Sequence, residues 1–87
     1  MTRYVVVVSP VADKQLAAVR DRVLKSRLTR AIEALGDTPR PPGVKKMVGK
    51  NDEWRVRVGD WRIVYVIEDG RLVVVVVAVA PRGGVYG

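Results

Sequence analysis

Apolar and polar residues change period several times along the chain, and each change marks a predicted element. Tyr4 to Val8 is a mostly β-branched run bounded by polar residues, which predicts a strand. Ser9-Pro10 then puts a capping hydroxyl ahead of a residue suited to the first helical turn. Ala12, Leu16, Val19 and Val23 recur at helical spacing, and so do Leu24, Leu28, Ala31 and Leu35. The second stripe is displaced by one residue, roughly 100° around a helix axis. One straight helix cannot easily bury both stripes against one sheet, so the pattern predicts two packed helices divided near Arg20-Asp21-Arg22. Gly36 ends the second as the residue beyond its C-cap, and DTPRPPG, residues 37–43, is a loop stiffened by three prolines.

The remaining pattern is that of strands. Val44 to Met47, Trp54 to Val58, Trp61 to Glu68 and Leu72 to Ala80 are the four expected, with Gly59-Asp60 and Asp69-Gly70 as two-residue hairpin turns. The order β-α-α-β-β-β-β predicts an α+β fold, a mostly antiparallel sheet with the two N-terminal helices packed on one face. One domain spanning 1–87 is expected, with no internal repeat or linker.

Register makes the first hairpin chemically informative. A two-residue turn at Gly59-Asp60 sets Val58 opposite Trp61, Arg57 opposite Arg62 and Val56 opposite Ile63. A directly opposed like-charge pair costs a few tenths to about 1 kcal/mol unless solvent or an anion separates the charges. Arg55 shares the face of Arg57, because side chains alternate along a strand. Trp54, Val56, Val58, Trp61, Ile63, Tyr65 and Ile67 point to the other side, toward the helices. The second hairpin, read the same way, balances its charges by setting Glu68 opposite Arg71. It also sets Val77 opposite Arg62 and Val79 opposite Asp60. Arg82 then lies five residues past Val77, roughly 17 Å at strand rise. Pro81 ends ladder donation, and Gly83 and Gly84 permit a bend that folds Arg82 and Tyr86 back over the arginines.

Composition narrows the chemistry. Sixteen Lys and Arg against nine Asp and Glu give a net charge of +7, which calls for RNA, DNA or an acidic protein as partner. Without cysteine there is neither a disulfide nor a thiolate metal site, and without histidine the usual general base near neutral pH is missing. The amino end has only a five-residue apolar run, too short for a signal-peptide core, and no run approaches the length of a membrane span, so a cytoplasmic protein with no membrane partner is expected. Phosphate-binding glycine loops, zinc spacings, nucleophile elbows and convincing carboxylate pairs are also missing, and no cofactor is called for. Asp52-Glu53 reads as a solvated loop, and Lys45 and Lys46 as a possible extension of a polynucleotide track.

An anionic phosphate suits Arg55, Arg57, Arg62 and Arg82, whose guanidinium forks donate paired hydrogen bonds and stay charged. In RNA cleavage such a cluster can stabilise the charge that develops when a ribose 2′-hydroxyl attacks the adjacent phosphate. Arginine is too basic to act readily as a general base, which leaves Tyr86 or a lysine of lowered pKa for proton transfer.

The segments SPVADKQL, IEALGDTPRPPGVKKMVG and WRVRVGDWRIVYVIEDGRLVVVVVAV, with the ending R-x-x-V-Y, resemble the RelE/ParE toxin superfamily of type II toxin-antitoxin systems over almost the whole chain. The RVGDWRIVY segment looks like the RelE branch, whose members cut messenger RNA in the ribosomal A site and are neutralised by a cognate antitoxin. The resemblance implies that Arg55 and Arg57 contact RNA and take part in catalysis. It implies that Arg62 and Arg82 hold the scissile phosphate and stabilise its transition state, and that Tyr86 stacks on or orients the nucleotide and assists proton transfer. Ala80-Pro81 departs from the Gly-His or Gly-Lys pair of many relatives, and arginine stands at 55 and 57 where some carry lysine. The implied partners are the ribosome with its message and an acidic or partly disordered antitoxin. A ParE-like inhibitor of DNA gyrase and a homologue that retains only antitoxin binding are the alternatives.

Overall fold

Two capping side chains divide the first half of the chain where the apolar stripe shifts. The computed structural model describes residues 3–46 and 53–81, with Lys45 described by its backbone alone. Strand β1 (Val5–Val8) runs into α1 (Pro10–Ala17), and Ser9 Oγ accepts a hydrogen bond from the Ala12 amide at 3.1 Å. Asp21 caps α2 (Arg22–Ala34) in the same way, accepting from the amides of Val23 and Leu24. Ala12 and Val19 are buried from the first stripe, and Leu28 and Leu35 from the second, joined by Ile32. Val23 departs from the expected pattern and is 70% exposed. It belongs to the first turn of α2, and the phase of that helix carries it far from the face of Leu28 and Ile32.

The sheet follows as β2 (Lys45–Lys46), β3 (Glu53–Val58), β4 (Trp61–Glu68) and β5 (Val73–Pro81), in spatial order β1-β5-β4-β3-β2. β1 and β5 are parallel and the other neighbours antiparallel. The expected strand end at Met47 lies outside the described residues, and Glu53, expected in a loop, opens β3. Ile63, Tyr65 and Ile67 from β4 and Val74, Val76 and Val79 from β5 meet Leu28, Ile32 and Leu35 in one core. The fold is thus α+β, with both helices on one face of the sheet.

Polar contacts attach the proline-rich loop to this core. Tyr65 is fully buried, and its hydroxyl donates to the Pro39 carbonyl at 2.8 Å. Burial pushes its pKa up to about 12. Arg40 pairs with Asp69 at 2.9 Å and stacks over Trp54 at 5.0 Å, while the Tyr4 hydroxyl donates to Asp69 at 2.6 Å. Gly36 does follow the C-cap of α2, but without positive φ. Its need is space: an added Cβ would lie 3.0 Å from the Tyr4 carbonyl oxygen. The Tyr4 amide also donates to the Gly36 carbonyl at 2.7 Å.

The second hairpin corrects the expected register. Asp69–Arg71 form a 3-10 turn, and Leu72 is left-handed at φ 55°, so Glu68 pairs with Val73 and not with Arg71. Glu68 and Arg71 still meet, as an ion pair of 3.0 Å within the turn. The register then shifts once more, between Val64 and Tyr65. Tyr65 pairs with Val76 but Val64 with Ala78, which leaves Val77 as the extra residue of a β-bulge. Arg62 therefore faces Ala80, not Val77, and Trp61 faces Pro81.

Candidate nucleic-acid interface

The first hairpin folds in the register its turn predicts. Gly59 has φ of 60° and Asp60 does not share the positive sign, the pattern of a type II′ turn, in which glycine takes the first central position. Arg57 is consequently the cross-strand partner of Arg62, with Cβ atoms roughly 4.5–5.5 Å apart at such a pair. Alternation along β3 and β4 puts Trp54, Val56, Val58, Trp61 and Ile63 on the helix side, where all pack into or against the core. Arg55, Arg57 and Arg62 occupy the opposite face.

That face carries concentrated positive charge on a small apolar floor. Val64, Ala78 and Ala80 are buried there, outside the helix-side core. Ala80 is the short residue across from Arg62, and Ala78 the one across from Val64. Among the described residues, Arg55, Arg57 and Arg62 make no ion pair, whereas Arg3, Arg40 and Arg71 each have a carboxylate partner. Arg3, Arg40 and Arg71 help to hold the fold, whereas these three, like Lys14, Arg20, Arg22, Lys25, Arg27 and Arg30, have no carboxylate partner among the described residues. What sets the three apart is that they share one face of the hairpin. An open face lined with unpaired guanidinium groups suits an extended polyanion, which needs a track and not an enclosed pocket.

The lysines expected beside this site part company. Lys45 is the backbone partner of Arg55, in the edge strand β2. Lys46 pairs with Trp54, and its ammonium lies 5.8 Å from the Trp54 ring, on the helix side. It is therefore on the far side of the sheet from Arg55, Arg57 and Arg62. Arg82 and Tyr86 lie outside the described residues. What the structure does give is the end of the strand that precedes them. The corrected register puts Ala80 opposite Arg62, so Arg82 follows two residues after that position and not five after it.

One cation escaped the sequence reading. Arg27, from α2, brings its guanidinium to 3.5 Å from where a Cβ on Gly59 would lie, at the turn of the arginine hairpin. Its helical phase, between the buried stripe and the outer face, was the available signal, but nothing in the sequence says which strand turn that flank meets. A described groove lies elsewhere. A cavity of about 530 Å³ between β1 and the helices is lined by Tyr4, Val6, Val8, Leu16 and Ile32, and none of the three arginines borders it. Among the described residues, no group of acidic or histidine side chains is placed to hold a metal ion, and no helix is long and apolar enough to cross a membrane.

Comparison with known proteins gives a consistent picture. The family model described as the ParE toxin of type II toxin-antitoxin systems matches residues 6–86. No curated protein sequence gives a significant match. Among solved structures, the archaeal RelE-RelB complex from Pyrococcus horikoshii is similar with a TM-score of 0.81 at 27% identity, covering 95% of this chain and 98% of that one. The intact Escherichia coli RelBE toxin-antitoxin complex gives 0.78 at 20% identity, covering 93% and 99%. The RelBE toxin-antitoxin complex of Mycobacterium tuberculosis gives 0.74 at 24% identity, covering 93% and 100%.

Proposed function

Because the chain belongs to the ParE toxin family of type II toxin-antitoxin systems, within the RelE/ParE superfamily, we propose that it is a ribosome-dependent messenger RNA endonuclease that arrests translation. The observation that carries this reading is the cross-strand pair Arg57 and Arg62, joined by Arg55 on one face and without a carboxylate partner. An anion converts that arrangement from a repulsive cluster into a binding site.

In the proposed reaction a ribose 2′-hydroxyl attacks the neighbouring phosphorus, and the 5′-oxygen of the next nucleotide leaves. Arg57, Arg62 and Arg82 stabilise the charge that gathers on the phosphate oxygens, and Arg55 and Lys45 hold the flanking backbone. Tyr86 orients the nucleotide and assists proton transfer, the part of the chemistry that no arginine supplies. Lys46, on the helix side of the sheet, is left out of the track. The partners are the ribosome and its message, and an acidic antitoxin that covers the arginine face in the resting complex.

The test is cleavage of ribosome-bound message by purified protein, read by primer extension. Removing Arg62 or Arg82 is expected to slow cleavage by roughly 100- to 1,000-fold, the scale of losing one donor to a developing oxyanion. Intact message, together with undiminished toxicity of Arg82→Ala and Tyr86→Ala, would sink the reading. The matching family model favours a second one, inhibition of DNA gyrase, in which the same basic face binds an acidic protein surface. Inhibited supercoiling with no RNA cleavage selects that alternative.

A further inference from the structure

The first hairpin meets α2 at its turn. Leu28 is buried in the same core as Val58, the last residue of β3. Its neighbour Arg27 is thereby carried to the flank of α2 that reaches Gly59. There the guanidinium carbon and both terminal nitrogens lie 3.5–3.9 Å from where a Cβ on Gly59 would stand, a broadside approach to the turn.

Holding the fold does not account for a guanidinium in that place. Arg27 is exposed, and among the described residues it makes no hydrogen bond or ion pair. Asp60, beside Gly59 in the turn, is exposed as well and takes no cation as partner. Arg27 instead adds positive charge to the turn that already joins the opposed Arg57 and Arg62. Like charges gathered in this way repel one another, and a bound anion reverses the sign.

Spacing gives the cluster a direction. Arg55, Arg57 and Gly59 follow one another along β3 and into the turn in two-residue steps of about 7 Å. At the third step the strand has no side chain of its own, and Arg27 brings a cation to it from the helix layer. Other helix cations also lack a carboxylate, but the three atoms nearest the open position at Gly59 all belong to Arg27.

We propose that Arg27 is a phosphate-binding residue of the arginine site: it takes a backbone phosphate of single-stranded RNA as the strand leaves the arginine face over the Gly59-Asp60 turn. The ligand follows from the endonuclease reading, which this contact deepens by fixing the path of the strand and bringing α2 into the site. A contact to phosphate carries no sequence information, so its loss weakens all sequences alike.

An oligonucleotide of 2′-O-methyl RNA lacks the attacking hydroxyl, so fluorescence anisotropy across a salt series reads its binding without cleavage. Each phosphate contact on a single strand contributes about 0.7 to the slope of log affinity against log salt. Arg27→Gln and Arg57→Gln are each expected to lower the slope by about that amount. Arg27→Lys keeps the charge and should keep the slope. So should Arg22→Gln, which removes an exposed guanidinium roughly 140° around the helix axis from Arg27. Urea unfolding should give Arg27→Gln the wild-type midpoint, because the side chain is exposed and unbonded. A slope that falls in Arg57→Gln but not in Arg27→Gln overturns the inference and leaves the endonuclease reading standing. Equal falls in Arg27→Gln and Arg22→Gln overturn it too, since net charge alone then explains the loss. An oligonucleotide that the wild type fails to bind, or a slope that Arg57→Gln also leaves unmoved, removes the hairpin reading itself and the role of Arg27 with it.

Discussion

Gly36 and Gly59 show how one residue type meets two different demands. At Gly59 a Cβ would find ordinary space, 3.5 Å from Arg27, but the φ of 60° penalises any L-residue. At Gly36 the backbone angle is unremarkable and the obstacle is the Tyr4 carbonyl oxygen at 3.0 Å, which sits in a backbone contact between β1 and the end of α2. Gly59→Ala is therefore expected to cost about 1 kcal/mol, and Gly36→Ala about 1–3 kcal/mol, as the Tyr4 backbone is forced aside. Urea unfolding of the two variants measures both. Arg62→Ala should separate stability from function. Removing one of two opposed cations should leave stability unchanged or raise it by up to about 1 kcal/mol, while RNA binding weakens. Unfolding midpoints and filter binding at fixed salt check the two signs, and a destabilised Arg62→Ala would show that the pair is not repulsive.

At the scale of elements, the two hairpins explain what could be read from sequence and what could not. Gly59-Asp60 sits between strands that need only local turn chemistry, so its register, the Arg57 to Arg62 pairing and the helix-side tryptophans were all legible. Asp69-Gly70 looks equally good as a dipeptide. There, however, Asp69 is held from outside the hairpin by the Tyr4 hydroxyl and Arg40, from chain segments 65 and 29 residues away. Those contacts fit a longer turn, whose last residue, Leu72, adopts a left-handed conformation that leucine disfavours. The bulge at Val77 was equally hidden, because an unbroken row of valines gives no sign of phase. Leu72→Gly is expected to raise stability or leave it unchanged, within about 1 kcal/mol, because relief of the left-handed strain offsets the extra freedom of the unfolded chain. Its side chain is 41% exposed, so little burial is lost. Thermal unfolding decides the sign, and a clear loss would mean that the Leu72 side chain contributes more than its exposure implies.

The whole molecule carries no histidine or cysteine, so its response to pH is set at the two ends of the scale. On the acid side, hydrogen bonds from Arg40 and then Tyr4 hold the Asp69 carboxyl below its ordinary range. A lowered folded pKa means stability that is present above the unfolded carboxylate range and lost as pH falls through the folded value. On the alkaline side the sign reverses. The hydrogen bond to Asp69 raises the Tyr4 pKa, and burial pushes that of Tyr65 up to about 12. Both phenols are favoured neutral in the folded state, so their contribution is complete below about pH 10 and is lost as pH rises through the raised values. Stability should thus be flat from about pH 5 to 9 and fall on both sides. Acid adds a second effect, since protonating the nine carboxyls takes the net charge from +7 toward the full +16 of Lys and Arg. Salt separates the two contributions, because it screens the spread-out repulsion more than the close contacts at Asp69. Chemical denaturation across pH in low and high salt tests the scheme. Asp69→Asn should shallow the acid limb that survives in high salt, and Tyr65→Phe the alkaline limb between about pH 10 and 12. An alkaline limb unchanged in Tyr65→Phe would mean that this phenol does not need to stay neutral for the sheet to hold the proline-rich loop.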